Sequence, residues 1–126
     1  MQREYLSLEK TDVYRLSREL SLIGWKIYQD LSWQEKKIVG NQFIEAVDSV
    51  GANVAEGFGR FHFLDKMKFY YNARGSLLEA RHWLDLLAER KLIGYEVVQS
   101  FLQCYKNLRL VLNGFIEAVR KAKDVS

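Results

Sequence analysis

Apolar residues recur along this chain at intervals of three and four, the spacing that places them on one face of an α-helix. Val13, Leu16, Leu20, Ile23 and Ile27 mark a first stripe, and Val39, Phe43, Val47, Val50, Val54 and Phe58 a second. A third runs through Phe69, Ala73, Ser76, Ala80, Trp83 and Leu87, broadened by Leu77 and Leu84. The fourth is the most regular: Val98, Phe101, Tyr105, Leu108, Leu112, Phe115 and Val119 alternate between the two intervals. Stripes of this width belong to helices packed side by side. They predict helices over roughly 12–30, 33–58, 63–90 and 95–122.

The punctuation between the stripes agrees with this division. Thr11 and Asp12 are candidates to cap the first helix. Ser32 and Glu35 have the spacing of a capping box, in which each side chain satisfies an orphan amide at the start of the second helix. Gly57 and Gly59 are expected to close that helix, because glycine enters the left-handed region without a side-chain penalty. Gly94 separates the third helix from the fourth. Gly75, beside Ser76, is expected at a close approach between helices. Connections of a few residues make successive helices antiparallel. The expected fold is all-α, an antiparallel up-down-up-down four-helix bundle forming a single domain over residues 1–126.

Composition narrows the class. The chain has 126 residues, 48% hydrophobic and 28% charged, a globular balance that argues against disorder. Proline is absent, so no helix needs interrupting. Cys104 is the only cysteine, which excludes an internal disulfide and a cysteine-based zinc site. No uncharged apolar stretch reaches the length of a membrane span, and Met1–Glu4 lack the layout of a signal peptide. The expectation is a soluble cytoplasmic protein with no membrane partner.

Charge is uneven. The formal net charge is +3, but residues 31–59 carry a net −2, whereas 60–93 and 94–126 carry +3 and +2. A mildly basic second half permits nucleic-acid binding without requiring it. Arg60, His62, Lys66 and Lys68, interleaved with Phe61, Phe63, Phe69, Tyr70 and Tyr71, form the strongest basic-aromatic stretch. Aromatic rings stack on bases and cations pair with phosphates, so the composition suits unpaired RNA. Aromatics at helical spacing are, however, more often core residues than stacking platforms. Arg120, Lys121 and Lys123 make a basic tail that either adds to such a surface or opposes a helix dipole.

Other constellations point to structure rather than chemistry. Asn53 and Glu56 share a face near the end of the second helix, and Arg74, Ser76 and Glu79 lie on the helix expected to return beside it. An arginine on a packed seam needs a carboxylate partner. These five residues are therefore expected to form a buried polar network, with Glu56 and Glu79 as partners for Arg74, and no catalytic residue is assigned. Glu79 and His82 have the Glu-x-x-His spacing of di-iron bundles, but the unit occurs once, so no metal or cofactor is expected. Gly57-x-Gly59 precedes no Gly-Lys-Ser/Thr and is not a phosphate loop. Three Trp, seven Tyr and seven Phe exceed what one four-helix core can hold, so some rings are expected at a self-association surface.

Ser49-Val50 followed by Asn53-Val54-Ala55-Glu56-Gly57-Phe58-Gly59-Arg60, then Ala73-Arg74-Gly75-Ser76 and Glu79, resembles a family signature. It is that of the four-helix-bundle proteins encoded in intervening sequences of bacterial 23S rRNA genes. The resemblance extends from about residue 12 to residue 120. It implies a bacterial protein that is not an enzyme, forms a ring-like homo-oligomer, a pentamer, and associates with RNA or the ribosome. A related branch, the accessory variability determinant of diversity-generating retroelements, implies the alternative of a scaffold binding a reverse transcriptase and nucleic acid. The chain departs from the family pattern at Ile44 and Glu45, where basic residues are common, and Asp48 is also acidic. A nucleic-acid face is therefore expected on the second half and the tail.

Overall fold

The computed structural model describes residues 7–125, so the outermost ends of the expected 1–126 domain lie outside the described residues. A single 3-10 turn, Leu8–Lys10, leads into α1, Asp12–Gln29. The second helix, α2, begins with the α-turn Trp33–Glu35, widens into a π turn over Lys36–Gly40 and continues as Asn41–Phe58. Two longer helices follow, α3 over Phe63–Glu89 and α4 over Tyr95–Val125. The Thr11 hydroxyl accepts from the Tyr14 N–H at 3.3 Å at the head of α1. At the head of α2 both bonds of the Ser32–Glu35 capping box form, at 2.8 and 3.1 Å. The π turn has no counterpart in the apolar spacing; it leaves Val39 buried and Ile38 at 69% exposure.

Each helix packs against its neighbours in sequence, and α1 and α4 close the ring, which is the up-down-up-down arrangement. The core runs the length of the bundle, from Val13, Leu20 and Ile27 on α1 to Phe101, Leu108, Leu112 and Ile116 on α4. On α2, Val39, Phe43, Val47, Val50 and Val54 are buried as the spacing predicts. On α3 the buried seam is Met67, Tyr70, Ala73, Leu77, Ala80, Leu84 and Leu87, while Phe69, Ser76 and Trp83 are only half-buried. Large apolar residues lie on more than one side of α3, so periodicity alone did not select its inner face.

The glycines act differently from the expectation. Gly57 lies inside α2, where a Cβ would meet the Tyr70 ring at 2.5 Å, so its missing side chain lets α2 and α3 approach. Gly24 does the same between α1 and α2, against Val47. Gly75, by contrast, has no neighbouring atom within 4 Å of a Cβ position, and the close approach expected there does not occur within the bundle. Gly59 caps α2 in a right-handed conformation, with φ −81°, rather than the left-handed one expected. The left-handed cap falls instead on Lys91, φ 58°, after α3. There the Lys91 N–H donates to the Ala88 carbonyl and the Leu92 N–H to the Leu87 carbonyl, the two bonds of a Schellman motif built without glycine.

Candidate nucleic-acid interface

One end of the bundle gathers the head of α1, the tail of α2, the head of α3 and the tail of α4. Two candidate groups far apart in sequence meet there. Lys123 on α4 places its ammonium 5.0 Å from the centre of the Phe63 ring at the start of α3. Further in, Tyr70 meets Phe115 edge-on, with ring centres 4.9 Å apart. Between them lies an open recess of about 450 Å³. Its walls are aromatic, from Phe58, Phe61, Phe63, Tyr70 and Phe115, and both Lys66 and Lys123 line it.

Each polar group at this end has a definite task. The Lys66 ammonium donates to the Gly57 and Phe58 carbonyls, both at 3.2 Å, and so satisfies two orphan acceptors at the C-terminus of α2. Burial lowers its pKa from the ordinary lysine value, since the charged form is the one that loses hydration. An ammonium has three donors, so this cap leaves one for another acceptor. The Tyr70 ring is buried, and burial pushes its hydroxyl pKa up to about 12, so it stays a donor at neutral pH. That hydroxyl has no hydrogen-bond partner among the described residues, yet no buried side-chain oxygen there is unsatisfied. The hydroxyl must therefore reach solvent.

The remaining basic candidates stand apart. Arg60 pairs with Glu56 at 3.1 Å, and with Lys68 it flanks the Phe69 ring, at 4.8 and 5.6 Å from its centre. His62 is exposed and edge-on to Phe61, itself 89% exposed. Arg120 is engaged by Glu117 at 3.1 Å, and Lys121 is exposed. Phe115 and Val119 were legible as apolar stripe residues. What assigns them to this recess is the antiparallel pairing of α3 with α4.

The buried polar network expected from Asn53, Glu56, Arg74, Ser76 and Glu79 is not formed. Arg74 is exposed, stacks over Tyr71 at 5.0 Å and donates to Asn113 Oδ1 at 3.4 Å, so its partner is on α4 and is an amide. Glu79 accepts from Trp83 Nε1 at 3.1 Å, Asn53 donates to the Ser49 carbonyl at 2.8 Å, and Glu56 turns to Arg60. Ser76 is half-buried without joining them. The physical reason is that Ala73, Leu77 and Ala80 are the residues α3 turns to the seam, which leaves Arg74 and Glu79 on its exposed face, where ions stay hydrated. His82 packs edge-on against Trp83, so the Glu-x-x-His pair is drawn to one indole. Cys104 is buried with its thiol toward the Leu16 carbonyl, and burial together with the Glu19 charge pushes its pKa up to about 12.

A second surface was missed by the sequence reading. Leu64, Tyr71 and Leu78 are all exposed on α3 at seven-residue intervals, and Gly75 lies open beside them. The signal was present as a heptad on the outer face, masked by the denser inner one. Among the described residues no helix is long and apolar enough to cross a membrane.

Comparison with known proteins gives a consistent picture. A family model described as 23S rRNA-intervening sequence protein matches residues 9–114. Among solved structures, the chain is similar to a Bacteroides thetaiotaomicron protein described as of unknown function and from the S23 ribosomal protein family. That likeness has a TM-score of 0.77 at 23% identity and covers 83% of this chain and 95% of the other. No curated protein matches.

Proposed function

This chain belongs to the family of 23S rRNA-intervening sequence proteins, and from that membership we propose that it is a non-enzymatic, self-associating bundle that acts as an RNA- or ribosome-associated accessory. The observation that supports RNA binding most is the convergence of Lys66 and Lys123 on one aromatic-walled recess, from helices whose basic residues are far apart in sequence. Cations beside exposed rings are the usual equipment for holding phosphates and unpaired bases together. The non-enzymatic reading comes from the family, and Cys104, buried with its thiol pKa raised, is not an activated nucleophile that would argue against it.

Self-association is supported by the outward stripe of Leu64, Tyr71 and Leu78. A seven-residue apolar repeat with an open glycine beside it suits the packing of another helix. The five-fold number that the resemblance implies is part of this proposal, and light scattering of the purified chain tests it. Leu78→Glu is expected to lower the particle mass without unfolding the bundle, and an unchanged mass would remove α3 from the contact. The RNA reading is tested by the affinity for a 23S rRNA fragment from about 50 to about 200 mM salt, where each phosphate contact adds to the salt slope. Absence of binding at the lowest salt would refute it.

A further inference from the structure

We propose that the recess between the heads and tails of α2, α3 and α4 seats an unpaired nucleobase of a single-stranded RNA, with the flanking phosphates on Lys66 and Lys123. This rests on the RNA-binding reading above and names the part of the RNA that is recognised and the place where it sits.

The recess has the composition such a ligand requires. At about 450 Å³ it has the size of a small-molecule site, mostly apolar with few convergent polar groups. Phe61, at 89% exposure, is the most exposed large hydrophobic of the described residues, and it stands at this recess rather than on a packed seam. A ring held in water at an aromatic recess, in contact only edge-on with His62, keeps a face available to stack on a base. Phe63 and Phe115 supply further walls. The Tyr70 hydroxyl, a donor with no hydrogen-bond partner among the described residues, matches a ring nitrogen or carbonyl on a base edge.

Charge favours nucleic acid over an apolar segment of protein. Residues 56–68 and 117–124 carry six Lys and Arg against four acids, and two of those acids, Glu56 and Glu117, are already paired with arginines. Lys66 retains one ammonium donor beyond its two carbonyls, and Lys123, over the Phe63 ring, lines the same recess. A base in the recess would therefore have two lysine ammonium groups in its lining to meet its flanking phosphates. Base stacking also predicts a preference for single strands, since a paired base cannot leave its duplex without cost.

The test uses the full chain and a fluorescein-labelled oligoadenylate of about 12 nucleotides, a length within the usual span of single-strand sites, against an abasic strand of equal length. Wild type is expected to bind the oligoadenylate about tenfold more tightly than the abasic strand, and Phe61→Ala to lose that preference while keeping its salt slope. Tyr70→Phe, which keeps the packed ring, is expected to weaken the oligoadenylate alone, and Lys123→Gln to reduce the salt slope by about one. Binding by wild type that ignores both the base and Phe61 would overturn the recess and leave the RNA reading standing. Failure of wild type to bind any strand at low salt would overturn both. A change in particle mass on Phe61→Ala, with base preference retained, would mean that the recess seats a second copy of the chain and would overturn the proposal.

Discussion

Replacing Gly57 by alanine adds one methyl group at the tightest point between α2 and α3. The new Cβ would stand 2.5 Å from Tyr70 Cε1 and 2.8 Å from Cδ1. Carbon atoms rest at about 3.5–4.0 Å, so the ring would have to withdraw by roughly 1 Å. It has little freedom to do so, being 1% exposed and held edge-on by Phe115. Overpacking of this kind costs about 1–3 kcal/mol. Alanine in a helix interior regains up to about 1 kcal/mol over glycine, and less here because Gly57 is next to the last residue of α2. The expected result is a net loss of about 1–2 kcal/mol. Gly114→Ala is the control, because Gly114 lies inside α4 and, among the described residues, nothing beyond its own helix backbone and chain neighbours comes within 4 Å of the added methyl, so there the same change should stabilise by up to about 1 kcal/mol. Urea titration at one fixed protein concentration reads both, through the midpoint at unchanged slope. A Gly57→Ala protein as stable as wild type would show that the Tyr70 ring yields freely and that the α2–α3 packing argument is wrong.

Three further outcomes are expected. Lys91→Gly should stabilise by about 0.5–1 kcal/mol in thermal melts, because the left-handed conformation at φ 58° strains a side-chain-bearing residue and the Schellman bonds need only the backbone. Arg74→Ala should cost less than about 1 kcal/mol, since its contacts with Tyr71 and Asn113 are at the surface and no carboxylate is stranded; a loss of several kcal/mol in urea titration would restore the buried-network idea. Cys104 should contribute stability that is full below pH 9.0 and is lost as the pH rises toward 12, because the unfolded chain sheds the thiol proton while the folded chain keeps it. Urea titrations at about pH 8 and pH 11 should show a smaller alkaline loss in Cys104→Ala than in wild type, by about 2 kcal/mol. Tyr70 acts in the same direction above pH 10.0 and accounts for part of the loss that remains.

Local rules were readable where the chemistry is local. Ser32 and Glu35 are three residues apart and make their box regardless of what packs above them. The regular stripe of α4 buries Phe101, Leu108 and Leu112 because only one of its faces is continuously apolar. On α3 the apolar period is ambiguous, since Phe69 and Tyr70, or Leu77 and Leu78, are adjacent and apolar alike. Which of each pair turns inward depends on the fit to the neighbouring helices, as Gly57 of α2 makes room for Tyr70, and no period within α3 carries that information. The polar network failed for a related reason: Asn53, Glu56, Arg74 and Glu79 each found a partner within four residues or at the surface, where ions remain hydrated.

The sequence by itself determined four helices, the N-terminal caps of the first two and the antiparallel order, because hydrogen bonding, capping and apolar period act over a few residues. It also determined the stock of basic and aromatic side chains. Only the tertiary structure decided that Lys123 meets Phe63, that Lys66 serves the end of α2 and that Phe61 is left in water at a recess. Those placements come from the rotation of each helix about its axis. That rotation is set by steric fit between neighbours, a property of pairs of helices that the pattern along one helix does not contain.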